Sequence, residues 1–136
     1  MATALSKINS FSENLAEGII NLAGTPAVML TNTAHTATWD ELADLTPCVG
    51  IGNLSSTAIV VTTSAQTTGT YKLVLTDLTL TASGTVGPFQ YVYVYDSESV
   101  GSKLCWYYDY GSAITMAATD TFKIDFDPTS GAITIA

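Results

Sequence analysis

The residues that could do chemistry are few: one histidine, two cysteines and several pairs of carboxylates. His35 is the single histidine, and it lies among alanines and threonines with no Gly-x-Ser-x-Gly or cysteine–histidine pattern that would supply a nucleophile. Cys48 and Cys105 have no CxxC spacing, which favours free, buried thiols over a disulfide. Two cysteines and one distant histidine also lack zinc-ligand spacing. The sequence therefore predicts no enzyme, no metal site and no cofactor.

The acidic pairs are more typical of a solvated surface than of a reaction centre. Asp125 and Asp127 are two apart in an alternating segment, so both point to the same outer face of a strand. A glycosidase instead needs opposed carboxylates across a cleft, one with a raised pKa. A calcium site using Asp127 and loop carbonyls near Thr129 is the alternative. The other pairs are Asp40 with Asp44 and Asp96 with Glu98.

A run of aromatic residues is the one feature that could bind a ligand. Trp106, Tyr108 and Tyr110 alternate with other residues, so on a strand they would share one face. Such a platform could bind sugars if it were exposed. Because one face of the strand must fill the core, a core or subunit-interface role is favoured.

The composition points to an uncharged, mostly β surface. The chain has 136 residues, a net charge of −8, only 12% charged residues and 22 threonines, which are β-branched and favour strands. Four lysines and no arginine argue against binding nucleic acid or an anionic membrane. No apolar run is long enough to span a bilayer and no secretory signal is visible, so synthesis and folding in a cytoplasm are expected. The length fits a single domain, 1–136.

The first segment has the spacing of an amphipathic helix. Apolar residues recur every three or four positions, which predicts a helix over residues 4–23 that ends at Gly24 and Pro26. Its stripe could cap a β-sandwich or pack against another subunit. The candidate oligomer or capsid interface is Leu5, Ile8, Phe11, Leu15 and Ile19.

Strands separated by Gly, Ser, Asp and Pro follow over residues 27–136, and their spacing predicts a mainly β, jelly-roll-like antiparallel sandwich. A short helix is expected near 39–45, with Thr38 as cap and Glu41 as its capping-box partner. The predicted strands cover 27–31, 57–63, 70–83, 89–95, 104–108 and 113–116. Residues 89–95 are apolar on both faces, as in a central strand.

Two features refine this prediction. In residues 70–83 the buried phase changes from odd-numbered to even-numbered leucines, which requires a bulge, or a passage to the second sheet, near Asp77. At the end of the chain, alternation over 122–127, a turn at 128–131 and Ile133 with Ile135 predict a terminal hairpin whose last residues are buried.

Taken in order, these segments resemble a group of small structural proteins of tailed bacteriophages. The resemblance runs from Phe11 to Ala136 and rests on FSENLAEGIINL, VMLTNTA, TSAQTTGTYKLVLTD, TASGTVGPFQYVYVYD, WYYDYGSAIT and TFKIDFDPTSGAITIA. It implies a virion component, a capsid decoration or cement protein with a jelly-roll-like body, and it carries no catalytic residues.

The resemblance also implies partners. A cement protein binds the major capsid protein on the outer shell of the virion, and a symmetric homo-oligomer is expected, with a homotrimer favoured over a dimer. The alternative is a head or tail fibre module that binds host-surface glycans through the aromatic strand. An enzyme would need an acid–base pair that the sequence does not offer.

Overall fold

The computed structural model describes residues 4–136, a mainly β chain whose strands form antiparallel sheets in a sandwich-like arrangement. The strands are β1 (Leu5–Lys7), β2 (Pro26–Thr31), β3 (Val61–Thr67), β4 (Thr70–Leu75), β5 (Leu78–Thr81), β6 (Val86–Asp96), β7 (Leu104–Met116), β8 (Thr121–Ile124) and β9 (Ile133–Ile135). Helix α1 (Phe11–Ala16) and the 3₁₀ turns Leu42–Asp44 and Ile51–Asn53 complete the described elements.

The largest sheet has the strand order β1-β7-β6-β2. Its long strand β6 lies between β7 and β2, and Val92, Tyr93 and Val94 are all fully buried although they alternate between its two faces. The prediction of a central strand over 89–95 is therefore confirmed. The strand expected at 113–116 is the end of β7, and the one expected at 57–63 is shifted to Val61–Thr67.

The predicted change of direction near Asp77 is confirmed. Strand β4 ends at Leu75 and belongs to a sheet of order β3-β4-β9, whereas β5 begins at Leu78 and pairs with β8 in a separate two-stranded sheet. Leu73 and Leu75 are buried before the break and Leu80 after it, because the passage between sheets exchanges the buried face. Buried residues from all three sheets belong to one apolar cluster.

The predicted helix over residues 4–23 is wrong outside Phe11–Ala16. Leu5–Lys7 form an edge strand paired with β7, and the helix ends at Gly18, which has φ +75. The N–H of Gly18 donates to the carbonyl of Leu15 at 3.2 Å, and the N–H of Ile19 donates to that of Asn14 at 2.8 Å. This is the Schellman arrangement, in which a left-handed glycine ends a helix without steric cost.

The predicted terminal hairpin is also wrong. Strand β8 pairs with β5 and strand β9 pairs with β4, so the two last strands lie in different sheets. The turn between them exists: the Asp127 carboxylate accepts the N–H groups of Thr129 and Ser130 at 2.7 and 2.9 Å. The final residues are not buried, since Ile135 is 45% exposed.

The short helix expected near 39–45 is a single 3₁₀ turn, Leu42–Asp44, with a different cap from the predicted one. Glu41 is the N-cap, and the Asp44 side chain accepts the N–H of Glu41 at 3.1 Å and that of Asp40 at 2.8 Å. A carboxylate therefore caps this turn instead of Thr38.

Candidate functional site

Most of the apolar stripe predicted as an interface is buried in the core. Ile8 is fully buried and Phe11 is 4% exposed, with its ring edge-to-face on Trp106 at 6.1 Å. Leu5 and Leu15 are half-buried against the same core. Ile19 alone of these five residues is exposed, at 39%. The part of the stripe that a second molecule can reach is therefore Ile19 and the outer side of Leu15.

The aromatic residues of β7 share one face, as predicted, but that face is interior. Trp106 is 1% exposed, and its Nε1–H donates to the Tyr108 hydroxyl at 3.0 Å. Burial raises the pKa of Tyr108 to about 12. Tyr110 packs on Phe122 of β8 with ring centroids 5.1 Å apart. Tyr110 therefore joins the large sheet to the β5–β8 pair and Trp106 joins it to α1, so the three rings do not form an exposed platform.

His35 lies on the opposite face of the large sheet, within a second aromatic group that sequence reasoning missed. Its ring stacks on Tyr107 at 4.5 Å and meets the edge of Trp39 at 5.7 Å, and Nδ1 lies 2.9 Å from the hydroxyl of Tyr93. Burial lowers the pKa of His35 and raises that of Tyr93. These contacts fix the connection after β2 onto the sheet.

Asp40 is the centre of a polar cluster that the sequence did not reveal. Its carboxylate pairs with Lys103 and accepts hydrogen bonds from Ser10 Oγ and, at 3.0 Å, from Asn14 Nδ2. The Lys103 ammonium holds the pKa of Asp40 below its ordinary value, with Ser10 adding to the effect, and Asp40 in turn raises the pKa of Lys103. The ion pair and the two hydrogen bonds tie the segment around Asp40 to the start of α1 and to the residue before β7.

Asp96, at the end of β6, ties the segment after α1 to the large sheet. It is 3% exposed, and its carboxylate accepts the N–H of Asn21 at 2.9 Å and that of Glu98 at 3.0 Å. Both cysteines are free and buried, as predicted, and burial raises the pKa of the Cys105 thiol to about 12. These groups hold loops and fill the core.

Among the described residues no group of three or more His, Cys, Asp or Glu side chains is placed to hold a metal ion. Residues 4–136 likewise contain no helix with the length and apolar character needed to cross a bilayer.

Two concave surfaces among the described residues are lined by uncharged side chains. A groove of about 630 Å³ runs between β2 and residues 51–58, and the described residues lining it include Met29, Ile51, Leu54 and Ala58 but no charged side chain. A depression of about 280 Å³ lies between the segment after α1 and the β3-β4-β9 sheet. Its lining, also without a charged side chain, includes Leu15, Ile20, Leu22, Ser64, Tyr71 and Ile135.

The β3–β4 hairpin stands beside the smaller depression. Its two-residue loop, Thr68 and Gly69, has φ values of 50 and 86, the left-handed geometry of a type I′ turn. Residues 65–70 are exposed, and Ser64 is half-buried because its hydroxyl lies 2.8 Å from that of Tyr71. Strand β4 is covered on its far side by β9, whereas no strand from the described residues covers the outer edge of β3.

We therefore take the candidate site to be an assembly surface: the uncharged groove, the smaller depression and the open edge of β3. Backbone groups, hydroxyls and small apolar side chains are what this surface offers, and such groups are common in contacts between proteins. Comparison of the chain with protein-family models, with curated proteins and with solved structures gave no match.

Proposed function

We propose that the protein is a structural component of a tailed-bacteriophage virion, a decoration or cement protein that binds the major capsid protein on the outer shell and stabilises it. It is made in the host cytoplasm and acts on the capsid surface without enzymatic activity. A jelly-roll-like body is part of this proposal. The order of segments described above, from FSENLAEGIINL to TFKIDFDPTSGAITIA, is what supports the link to phage.

One observation carries the proposed role: both concave surfaces are lined by uncharged side chains in a protein whose net charge is −8. Acidic side chains keep much of the remaining surface hydrated, so the uncharged groove and depression are the places where desolvation is cheapest. A shell protein that docks there gains apolar burial and hydrogen bonds with few charge contacts.

Glycan binding by a fibre module was the alternative function, and we do not pursue it. An adhesive platform requires flat, exposed rings, whereas Trp106 is in the core and Tyr107 is covered on one face by His35. The decoration role needs no such platform.

The test is decoration of stripped capsids by the purified protein, measured by co-sedimentation. Exposed charge pairs contribute at most about 1 kcal/mol each, and salt near 0.5 M screens them within roughly 4 Å. Binding should therefore survive a rise from about 0.05 to about 0.5 M NaCl. If binding collapses over that range, an acidic face such as Asp125 and Asp127 is contacting a basic capsid patch, and the proposed interface is wrong.

A matched pair of variants locates the surface. Ala58 is exposed and lines the larger groove, whereas Ala118 is exposed in the turn before β8, outside both depressions. Ala58→Glu should weaken decoration at least about tenfold because a carboxylate must then be desolvated. Ala118→Glu adds the same charge and should bind as the wild type does. Equal effects of the two substitutions would exclude the groove.

A further inference from the structure

We propose that the open edge of β3 pairs antiparallel with β3 of a second copy of the chain, about a twofold axis at Ala65, so that two three-stranded sheets join into one of six strands. This pairing takes place in the free protein and does not depend on capsid binding. It gives a dimer, in place of the trimer that the resemblance favours.

The hairpin geometry decides which backbone groups are available at this edge. Thr67 and Thr70 flank a two-residue loop, so they exchange both of their backbone hydrogen bonds, and the next bonded pair is Ala65 with Lys72. Ser64 and Gln66 must then point their N–H and C=O groups away from β4. The opposite side of β4 agrees with this alternation, since the carbonyl of Leu73 accepts the N–H of Ala132 beside β9.

The outward N–H and C=O groups of Ser64 and Gln66 are self-complementary under a twofold rotation. With Ala65 of one copy opposite Ala65 of the other, each Ser64 faces the Gln66 of the other copy. Both members of such a facing pair have their hydrogen-bonding groups on the paired side, so the two pairs exchange about four hydrogen bonds. Ala65 occupies a non-bonded position, where Cα atoms approach to about 4.5 Å and a small side chain fits best.

The chemistry of the edge favours a second copy over a charged partner. Val61–Thr67 contains no charged residue and no proline, and its one irregularity lies at its start, between Val61 and Thr63. It therefore lacks most devices that keep an edge strand from pairing. Two molecules of net charge −8 repel each other, but a contact made by β3 brings no charged side chains together and desolvates none.

The other sheet edges in the described part of the chain are less suited to self-pairing. Strands β1 and β9 have three residues each and β5 has four, and β1 also carries Lys7. Strand β8 has four residues and carries Lys123, which pairs with Asp77 at 2.9 Å. The edge of β2 is occupied, because Val28 donates to the carbonyl of Thr57 at 3.0 Å. At seven residues, β3 is the longest of these edges that is open.

The first experiment is cysteine cross-linking of the purified full-length protein. Ala65→Cys places two thiols about 4.5 Å apart by Cα, which is within disulfide range. Thr67→Cys is an equally exposed control on the same strand, and its two thiols would lie about 14 Å apart along the paired strands. Under mild oxidation A65C should become a covalent dimer on non-reducing gels at least about tenfold faster than T67C. The native cysteines are buried and do not compete.

The second experiment measures oligomeric state by light scattering over a range of concentrations. Gln66→Pro removes an outward N–H and leaves the β4 ladder intact, a position where an edge strand tolerates proline. It should weaken the dimer at least about tenfold, because two symmetric hydrogen bonds are lost. Gln66→Thr is the matched control, since it also removes the side-chain contact to the Gly69 N–H but keeps the backbone donor.

Each outcome decides the proposal. Faster cross-linking of A65C, together with a wild-type dimer that Q66P dissociates and Q66T does not, supports it. A wild-type trimer, a wild-type monomer, or equal cross-linking of A65C and T67C overturns it. A monomer that nevertheless decorates capsids would leave the proposed function standing and would make a capsid strand the occupant of this edge.

Discussion

Replacing Phe11 with alanine should remove a large part of the stability of the protein. Phe11 is 4% exposed and packs edge-to-face on Trp106, which is itself 1% exposed, so the cavity left behind has rigid walls. Loss of a buried phenylalanine side chain costs about 3–5 kcal/mol. Domains of this size have a free energy of unfolding of about 5–15 kcal/mol. The variant should therefore lose about a fifth of its stability or more.

The assay is urea unfolding followed by tryptophan fluorescence, supported by calorimetry. At about 3–4 °C per kcal/mol, Phe11→Ala should lower Tm by about 10–20 °C. Phe11→Leu keeps most of the volume but removes the aromatic pair, so it should cost about 1–2 kcal/mol. Ile19→Ala belongs to the same sequence stripe but is 39% exposed, and it should cost under about 1 kcal/mol.

Comparing the stabilities of Phe11→Ala and Ile19→Ala distinguishes the observed structure from the continuous helix predicted by the sequence. A continuous helix over residues 4–23 would place both side chains on one face with similar burial. If the two alanine variants lose equal free energies of unfolding, or if Phe11→Ala costs under 1 kcal/mol, the packing of α1 on Trp106 is wrong.

Two further predictions concern pH. Because folding lowers the pKa of Asp40 beneath 3.8, its stabilising contribution is complete above that value and disappears as the pH falls through the lower folded value. Asp40→Asn should thus cost about 1–3 kcal/mol at neutral pH. Its urea midpoint should begin to converge on that of the wild type as the pH falls below about 4, and a constant difference down to about pH 2 would contradict the ion pair with Lys103. Burial lowers the pKa of His35 from 6.5, so the wild type should lose stability as the pH falls from about 7 to about 5.5, because the unfolded chain binds the proton more readily. His35→Gln should lack this slope in the same titration, and an unchanged slope would show that His35 is solvated.

Side-chain periodicity was sufficient for the strands that pack on a core. The sequence pattern shows locally which side of a strand is buried. The two apolar faces of β6 and the change of phase at Asp77 can therefore be predicted without knowing the partner strands. Gly18 carried a local signal that the predicted helix over residues 4–23 overlooked. A glycine after a helical turn is a common helix terminus, and here it ends α1 with φ +75.

Pairing partners could not be read in the same way. Leu5 in the segment Leu5–Lys7 has helical spacing relative to Phe11, but the segment forms a strand that pairs with β7. A three-residue strand is too short to show a periodicity in the sequence. The turn at Asp127 was recognisable, yet the strands on either side of it pair with β5 and β4 in separate sheets. A turn sequence fixes a local reversal of the chain, and the partner of each strand depends on distant backbone.

The same distinction between local and long-range information applies to the candidate assembly surface. The sequence by itself determined that the protein has few charges and many threonines, because these follow from residue types alone. Only the tertiary structure decided which uncharged residues are accessible. It buries Phe11 and Trp106, leaves Ile19 exposed and gives β3 an open edge. The reason is physical: exposure is set by what the rest of the chain covers, and that depends on contacts between residues far apart in sequence.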